Sequence, residues 1–332
     1  MTAPMAGAPD LPKVKRRDGR AMASPLRLQV AGEPPEPLVD AAWAEVVDEF
    51  EATEQALSRF RSTSEIHRVR LAGGHAQEPS RRLVAALVAA DRARRMTRGR
   101  FDPRVLPDLE RLGSTAAEVP VEIASSTRPD SGRRLLRRAA RRGPLEVPVP
   151  VDFGGIGKGL ALRWAARRAA RVLAGRPFLL EAGGDIVGSG APGADGWRIG
   201  IEDPGAGPED TAPGPGESGP IVVVELPRDV GAVATSSIRR ARWLAPDGRL
   251  VHHLIDPLTG EPGGDGLLAV TVAGRDPAWA EVWSKSLFLE RRDGIASVAR
   301  ARGLAAWWVT AGGAVEMTPA ARLRTIWVRG EA

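Results

Sequence analysis

Two short segments of the sequence combine residue types that suit work on a phosphate group. Residues 152–159 read Asp-Phe-Gly-Gly-Ile-Gly-Lys-Gly, between an apolar run and a helical pattern. Backbone N–H groups at such a turn, with a lysine beside them, suit a bound phosphate. Residues 253–260, His-Leu-Ile-Asp-Pro-Leu-Thr-Gly, offer a potential proton acceptor and an orienting carboxylate before a proline-led turn. Asp256 is expected to order that turn rather than to act on a proton. Together the two segments predict chemistry on a phosphate ester or anhydride.

The elements that position these segments follow from apolar spacing. The apolar run over 145–151 leads into the glycine turn, and alternating or continuous apolar residues predict further strands, whereas spacing of three and four predicts helices. The predicted strands are 26–30, 178–186, 197–201, 221–226, 267–272 and 305–309, and the predicted helices are 38–60, 83–96, 160–173 and 277–289. Strands and helices mix without a regular βαβ repeat, which favours an α+β fold.

Composition is that of an ordinary globular protein, with 43% hydrophobic and 27% charged residues in a chain of 332. The net charge is +6, but arginine is spread through the whole chain, so we expect no nucleic-acid partner. The densest cluster is Arg133, Arg134, Arg137, Arg138, Arg141 and Arg142. Its spacing predicts a solvated helix face, with contact to an anionic partner as the alternative.

Several classes of site and location are excluded or disfavoured. The chain has no cysteine, so disulfides, thiolate nucleophiles and cysteine metal sites are excluded. Residues 1–19 hold three prolines, a basic run and no apolar core of a signal peptide, which predicts a disordered arm and a cytoplasmic protein. No apolar run is long enough for a membrane anchor. Residues 20–330 are predicted to form one domain, with a flexible Gly/Pro-rich insertion at 204–220.

The two segments resemble motifs of the ApbE-like family of FAD:protein FMN transferases, and five smaller matches keep the family's order. The matched segments, which together cover roughly residues 20 to 328, are Ala21-Met22-Ala23-Ser24, 58–66, Gly-Arg-Phe-Asp-Pro at 99–103, 152–159, Gly183-Gly184-Asp185, Val-Ala-Thr-Ser at 233–236, and 253–260. The resemblance implies an ApbE-like α+β fold of mixed, largely antiparallel sheets packed with helices.

The resemblance also implies an activity: FMN would pass from FAD to a Thr or Ser hydroxyl of an acceptor flavoprotein, and AMP would be released. Two alternatives use the same pocket. One is a non-catalytic FAD-binding protein, and the other is an FAD pyrophosphatase with water as the nucleophile.

Roles for individual residues come with the resemblance. His253 stands at the motif histidine, as the base; the alternative is a histidine that caps the following turn. The residues implied to line the flavin nucleotide are Met22, Phe60, Arg100, Phe101, Asp102, Asp152, Lys158, Thr235 and Ile255. Phe60 replaces a tyrosine and keeps its stacking face. As alternatives, Phe60 and Phe101 are core residues, Asp152 is an acid near a helix start, and Lys158 is a solvated lysine.

The implied Mg²⁺ site departs from the family pattern. The family places oxygen ligands at positions i, i+3 and i+4 of one helix, near a backbone carbonyl that corresponds to Gly155. The matching helix residues are Glu281, Ser284 and Lys285. A unit-charge pair at about 4 Å is worth roughly 4 kcal/mol at an effective dielectric of about 20, so an ammonium would repel a divalent ion strongly. Lys285 therefore points away, replaces the metal as the neutralising charge, or marks a lost site; we favour the second or third.

Overall fold

The computed structural model describes residues 13–114, 135–138, 143–193, 196–205, 219–239 and 241–331. Its α-helices are α1 Glu36–Leu57, α2 Glu65–Leu71, α3 Arg81–Met96, α4 Leu106–Arg111, α5 Gly157–Leu173, α6 Pro277–Leu289, α7 Arg291–Ala301 and α8 Pro319–Arg322. Its strands are β1 Val14–Ala21, β2 Ser24–Ala31, β3 His75–Ala76, β4 Arg137–Arg138, β5 Leu145–Glu146, β6 Phe178–Ala182, β7 Asp185–Ser189, β8 Arg198–Ile201, β9 Val222–Glu225, β10 Val230–Ser237, β11 Arg242–Leu244, β12 Leu250–His252, β13 Leu267–Gly274, β14 Ala305–Thr310, β15 Val315–Met317 and β16 Thr325–Val328.

An eight-stranded sheet in the order β1-β2-β6-β7-β10-β13-β14-β15 forms the centre of the fold. Three smaller sheets surround it, β16-β9-β8, β3-β5-β4 and the hairpin β11-β12. Every strand pair among the described residues is antiparallel. The predicted α+β fold with largely antiparallel sheets is therefore confirmed.

Helices α5 and α6 lie against the central sheet and against each other. Asp276 caps α6, because its carboxylate accepts the N–H groups of Ala278 at 3.0 Å and Trp279 at 3.2 Å. Pro277 takes the first helical position, where no N–H is needed. Nearly the whole of α6 is buried, so any polar side chain on it must find its partners inside the protein.

The predicted disordered arm is wrong for its last residues. Residues 1–12 lie outside the described part of the chain, but β1 pairs along its whole length with β2. Its charged residues meet the acidic side of α1, since Lys15 Nζ lies 2.6 Å from Glu36 and Arg17 Nη2 lies 2.7 Å from Asp40. The basic residues that suggested disorder thus lie on an edge strand of the sheet, where charged side chains prevent pairing with another strand.

Two predicted strands end differently in the structure. The apolar run 145–151 is a strand only over Leu145–Glu146, because Pro148 and Pro150 have no N–H for a ladder. The strand predicted over 178–186 is a hairpin, β6 and β7, whose turn places Gly183 at φ 59° and Gly184 at φ 89°. Glycine tolerates these positive values without the strain that a β-carbon adds.

Two further predictions fall largely outside the described residues. Of the arginine cluster, Arg137 and Arg138 form β4 rather than a helix, and the other four arginines are not in the described part. The insertion predicted at 204–220 is described only at 204–205 and 219–220. Within the described ranges, no helix combines the length and apolar character that a bilayer crossing requires. The cytoplasmic location stays a prediction.

Candidate functional site

One solvent-open cleft of about 1150 Å³ is lined by His253, Lys158 and Thr235. They come from the loop after β12, the first turn of α5, and β10. The cleft is also lined by Ser24, Glu181, Gly183, Gly184, Ser237 and Arg239. Three predicted site residues from distant parts of the sequence are therefore brought together.

Lys158 is held at the cleft by a buried carboxylate. Its ammonium pairs with Asp185, whose side chain is 2% exposed. The other carboxylate oxygen of Asp185 accepts the N–H of Thr235 at 3.1 Å, and Thr235 Oγ1 lies 2.9 Å from Thr271 Oγ1. Asp185 is therefore the buried counterion that fixes both Lys158 and β10, and the Gly183-Gly184-Asp185 motif was the sequence signal for it.

His253 is an uncharged imidazole in this structure. Burial lowers its pKa to about 3, and the positive charges of Lys285 and Lys158 act in the same direction, as does His252. Its Nδ1 is buried and has no hydrogen-bond partner among the described residues. The imidazole is therefore neutral at pH 7, and it faces the cleft.

The neighbouring His252 has a different environment, because successive side chains of an extended segment point to opposite sides. Its Nδ1 accepts the N–H of Leu254 at 3.2 Å. Its ring meets Phe288 edge-on, with the ring centroids 6.1 Å apart. The cleft wall includes His253 and not His252. Of the two histidines, His253 therefore faces the cleft and His252 packs against Phe288.

Arg100 joins two of the motifs. Its Nη1 lies 3.2 Å from Asp256 Oδ2, and its Nε lies 3.3 Å from Glu290 Oε1. Asp256 also accepts the N–H of Leu258 at 2.9 Å, which confirms its predicted role in the turn. Arg100 was assigned to the nucleotide by resemblance. Here its guanidinium anchors the loop that carries the cleft histidine.

The glycine turn does not offer all its N–H groups to a ligand. Ile156 and Gly157 both donate to the carbonyl of Phe153, at 3.0 and 2.7 Å. Gly159 donates to Glu281 Oε2 at 2.7 Å. The predicted phosphate cradle is therefore wrong for these three N–H groups, because the protein itself uses them. The side chain of Lys158, rather than this part of the backbone, faces the cleft.

Two glycines of this turn let α6 come close. A β-carbon on Gly159 would lie 2.5 Å from Ala278 Cα. A β-carbon on Gly155 would lie 2.7 Å from Lys285 Cδ, 3.3 Å from Lys285 Nζ and 3.0 Å from the Phe101 ring. The 2.5 Å separation is from backbone that cannot move aside, so glycine is required where α5 packs on α6; the 2.7 Å separation shows that the lysine stem fills the space beside Gly155.

Arg59 connects another motif to the turn, and the sequence analysis missed it. Its Nε lies 3.2 Å from Asp152 Oδ1, with both side chains almost buried. Its guanidinium lies 4.1 Å above the ring of Phe60, which is 60% exposed and so not a core residue. Arg59 also lines a second cleft, of about 700 Å³, with His67 and residues 147–151. Its place beside Phe60 in a matched motif was the available signal.

The remaining predicted nucleotide residues lie behind or beside the cleft. Phe101 and Ile255 are 1% and 0% exposed, so their side chains belong to the core. Asp102 accepts the N–H of Arg104 at 3.0 Å and pairs with its guanidinium. Met22 lies in the β1–β2 turn at φ 50° and packs on the core beside β2. None of these four is among the described residues that line the cleft.

The residues on α6 do not fit a Mg²⁺ site. One Glu281 oxygen accepts the Gly159 N–H, and burial raises the pKa of the Glu281 carboxyl to about 8. Ser284 Oγ donates to the carbonyl of Glu281 at 3.0 Å and lies 2.9 Å from Ser236 Oγ. The third position holds the Lys285 ammonium. Among the described residues there is no group of three or more His, Cys, Asp or Glu that could hold a metal.

Comparison with known proteins connects this geometry to a family. The sequence profile described as ApbE family matches residues 22–308. The chain belongs to the ApbE family. A Klebsiella pneumoniae FAD:protein FMN transferase is 26% identical over 304 residues, covering 88% of this chain and 83% of that protein. The Escherichia coli K12 protein of the same name is 25% identical over 274 residues, covering 79% and 74%.

Solved structures agree with the ApbE family fold. The apo structure of a flavinyl transferase ApbE from Pseudomonas stutzeri superposes with a TM-score of 0.75 at 25% identity, covering 95% of this chain and 98% of that one. An ApbE protein from Thermotoga maritima gives a TM-score of 0.79 at 24% identity, covering 94% and 99%. The fold described above is therefore that of the family.

Proposed function

We propose that this ApbE family member transfers FMN from FAD to a Thr or Ser hydroxyl of an acceptor flavoprotein and releases AMP. The observation that carries the proposal is the single cleft lined by His253 and Lys158, which combines a proton acceptor with a cation. The names of the curated relatives support the same reaction. Transfer of a phosphoryl group needs a proton acceptor and a cation, because the attacking hydroxyl must lose its proton while negative charge builds up on the diphosphate.

The proposed step is a displacement at phosphorus. The acceptor hydroxyl oxygen forms a bond to the FMN phosphorus, and the bond from that phosphorus to the bridging oxygen breaks. The electron pair of that bond leaves with AMP, and the hydroxyl proton passes to His253. Lys158, fixed by Asp185, offsets negative charge on the diphosphate.

Because its pKa is lowered, His253 is a weak base until negative charge is bound beside it. The free site holds His253 neutral because it is buried beside lysines. A bound diphosphate adds negative charge next to the imidazole, which raises its pKa and improves it as a proton acceptor. His253 thus becomes an effective base when FAD is in place.

Other predicted residues take supporting roles in the proposal. Phe60 offers an exposed ring face for stacking on the flavin, and Arg59 holds Asp152 beside the glycine turn. Thr235 forms part of the cleft wall. The proposed step contains no Mg²⁺, because the α6 residues do not fit it.

The test is to incubate the protein with FAD and a candidate acceptor, and to measure AMP release and the acceptor mass. We expect AMP release together with an FMN-sized mass increase on the acceptor. His253→Gln should reduce the rate by about 10²-fold or more, whereas His252→Gln, the neighbour outside the cleft, should keep most of it.

Other outcomes separate the alternative functions. AMP release without modification of the acceptor would identify an FAD pyrophosphatase. FAD binding without AMP release would identify a non-catalytic binder. Full activity of a folded His253→Gln protein would remove His253 as the base.

A further inference from the structure

We propose, building on the function proposed above, that the Lys285 ammonium takes the place of a divalent cation at the diphosphate. Binding of FAD by this chain would then require no Mg²⁺. In this role Lys285 is a fixed positive charge and takes no part in proton transfer.

The location of Lys285 supports this role. It lies one helical turn after Glu281 on α6, and 6% of the residue is exposed. Its Nζ lies 3.3 Å from the position that a β-carbon on Gly155 would take. Because Gly155 has no side chain, the Lys285 side chain packs directly against the glycine turn 152–159, which also carries Lys158. Its positive charge also helps to lower the pKa of His253, which lines the cleft.

The charges around Lys285 leave it as an excess cation. Asp152 is paired with Arg59, and Asp102 is paired with Arg104. Burial lowers the pKa of Lys285, Asp152 and Asp102 oppose this shift from a distance, and in the described ranges Lys285 forms no ion pair of its own. A buried ammonium without a paired carboxylate is costly unless an anion approaches it. The diphosphate of FAD supplies such an anion.

The choice of lysine also suits this place. Only four of the 47 lysine and arginine residues are lysines, and two of those four, Lys158 and Lys285, lie at the site. An ammonium on a slender stem is a compact point charge, whereas a guanidinium is a broad planar fork. The Lys285 stem already lies within 2.7 Å of the position that a β-carbon on Gly155 would take, so a slender side chain suits this place. Lys158 and Lys285 would thus supply two ammonium groups to the diphosphate, in place of one ammonium group and one metal ion.

The experiment measures FAD affinity by flavin fluorescence, once with EDTA and once with excess Mg²⁺. We expect the dissociation constant of the natural protein to agree within about twofold between the two conditions. Lys285→Met should raise the constant about tenfold or more in EDTA, since it removes the charge and keeps the stem. Lys13→Met is the matched control, because Lys13 is highly exposed and pairs with Glu33 on the surface. AMP release should likewise persist in EDTA.

The outcomes distinguish this inference from the proposed function. A natural protein that binds FAD only with Mg²⁺ would overturn the inference and leave FMN transfer standing. A folded protein that binds no FAD in either condition would overturn both. Lys285→Met with natural affinity in EDTA would also overturn the inference. If that variant does not fold, Lys285→Gln and the EDTA comparison on the natural protein still decide the point.

Discussion

The side chain of Lys285 occupies the space that a β-carbon on Gly155 would need, with Cδ only 2.7 Å from that position. A glycine in the turn before α5 and a lysine on α6 therefore depend on each other, although 130 residues separate them. This dependence can be measured with two substitutions, singly and combined.

Gly155→Ala should destabilise the protein by about 1–3 kcal/mol, because the added methyl group overpacks the site. In a Lys285→Ala background the same change should cost clearly less, since the lysine stem is gone. Urea unfolding of the four proteins gives the coupling free energy. Equal costs in both backgrounds would contradict the contact.

Gly159→Ala is expected to cost about 3 kcal/mol or more, because its β-carbon would meet the backbone of α6 at Ala278. Backbone cannot rotate away as a side chain can, so Lys285→Ala should give no relief. Thermal unfolding of the single and double variants measures this. Rescue by Lys285→Ala would show that the clash lies elsewhere.

His253 should remain neutral down to a pH well below its ordinary pKa of 6.5, since burial lowers that pKa to about 3. The unfolded chain binds this proton at higher pH than the folded one, so His253 contributes a loss of stability as the pH falls below about 6.5. NMR titration of the four histidines follows the imidazole, with His253→Gln for assignment.

Lys285→Met provides a second check on this titration. Removing a positive charge near the imidazole should raise the pKa of His253, whereas Lys13→Met should leave it unchanged. A His253 signal that titrates near pH 6.5 in the natural protein would contradict the burial described here.

Arg100→Met should destabilise the loop that carries the cleft histidine. The change leaves the buried carboxylate of Asp256 without its cation, at a cost of about 2 kcal/mol because the arginine is partly exposed. Urea unfolding measures the cost, and hydrogen exchange at 254–260 locates it. An Arg100→Met, Asp256→Asn double variant should recover part of the loss.

Local signals explain what was predictable. Pro277 indicated the start of α6, and the predicted bounds Pro277–Leu289 are those of the structure. The turn role of Asp256 followed from its side chain and the proline after it. In contrast, β1 was mistaken for a disordered arm, because the carboxylates that pair with its basic residues lie on α1.

The sequence by itself determined the family, the α+β class and the residues from distant motifs that share the cleft, since these follow from local patterns and motif order. Tertiary structure alone decided which charges meet: Lys158 with Asp185, Arg100 with Asp256, and Lys285 beneath Gly155. These contacts join residues far apart in the chain. Their pKa values and packing depend on burial and on neighbours brought close by folding, which no short segment encodes.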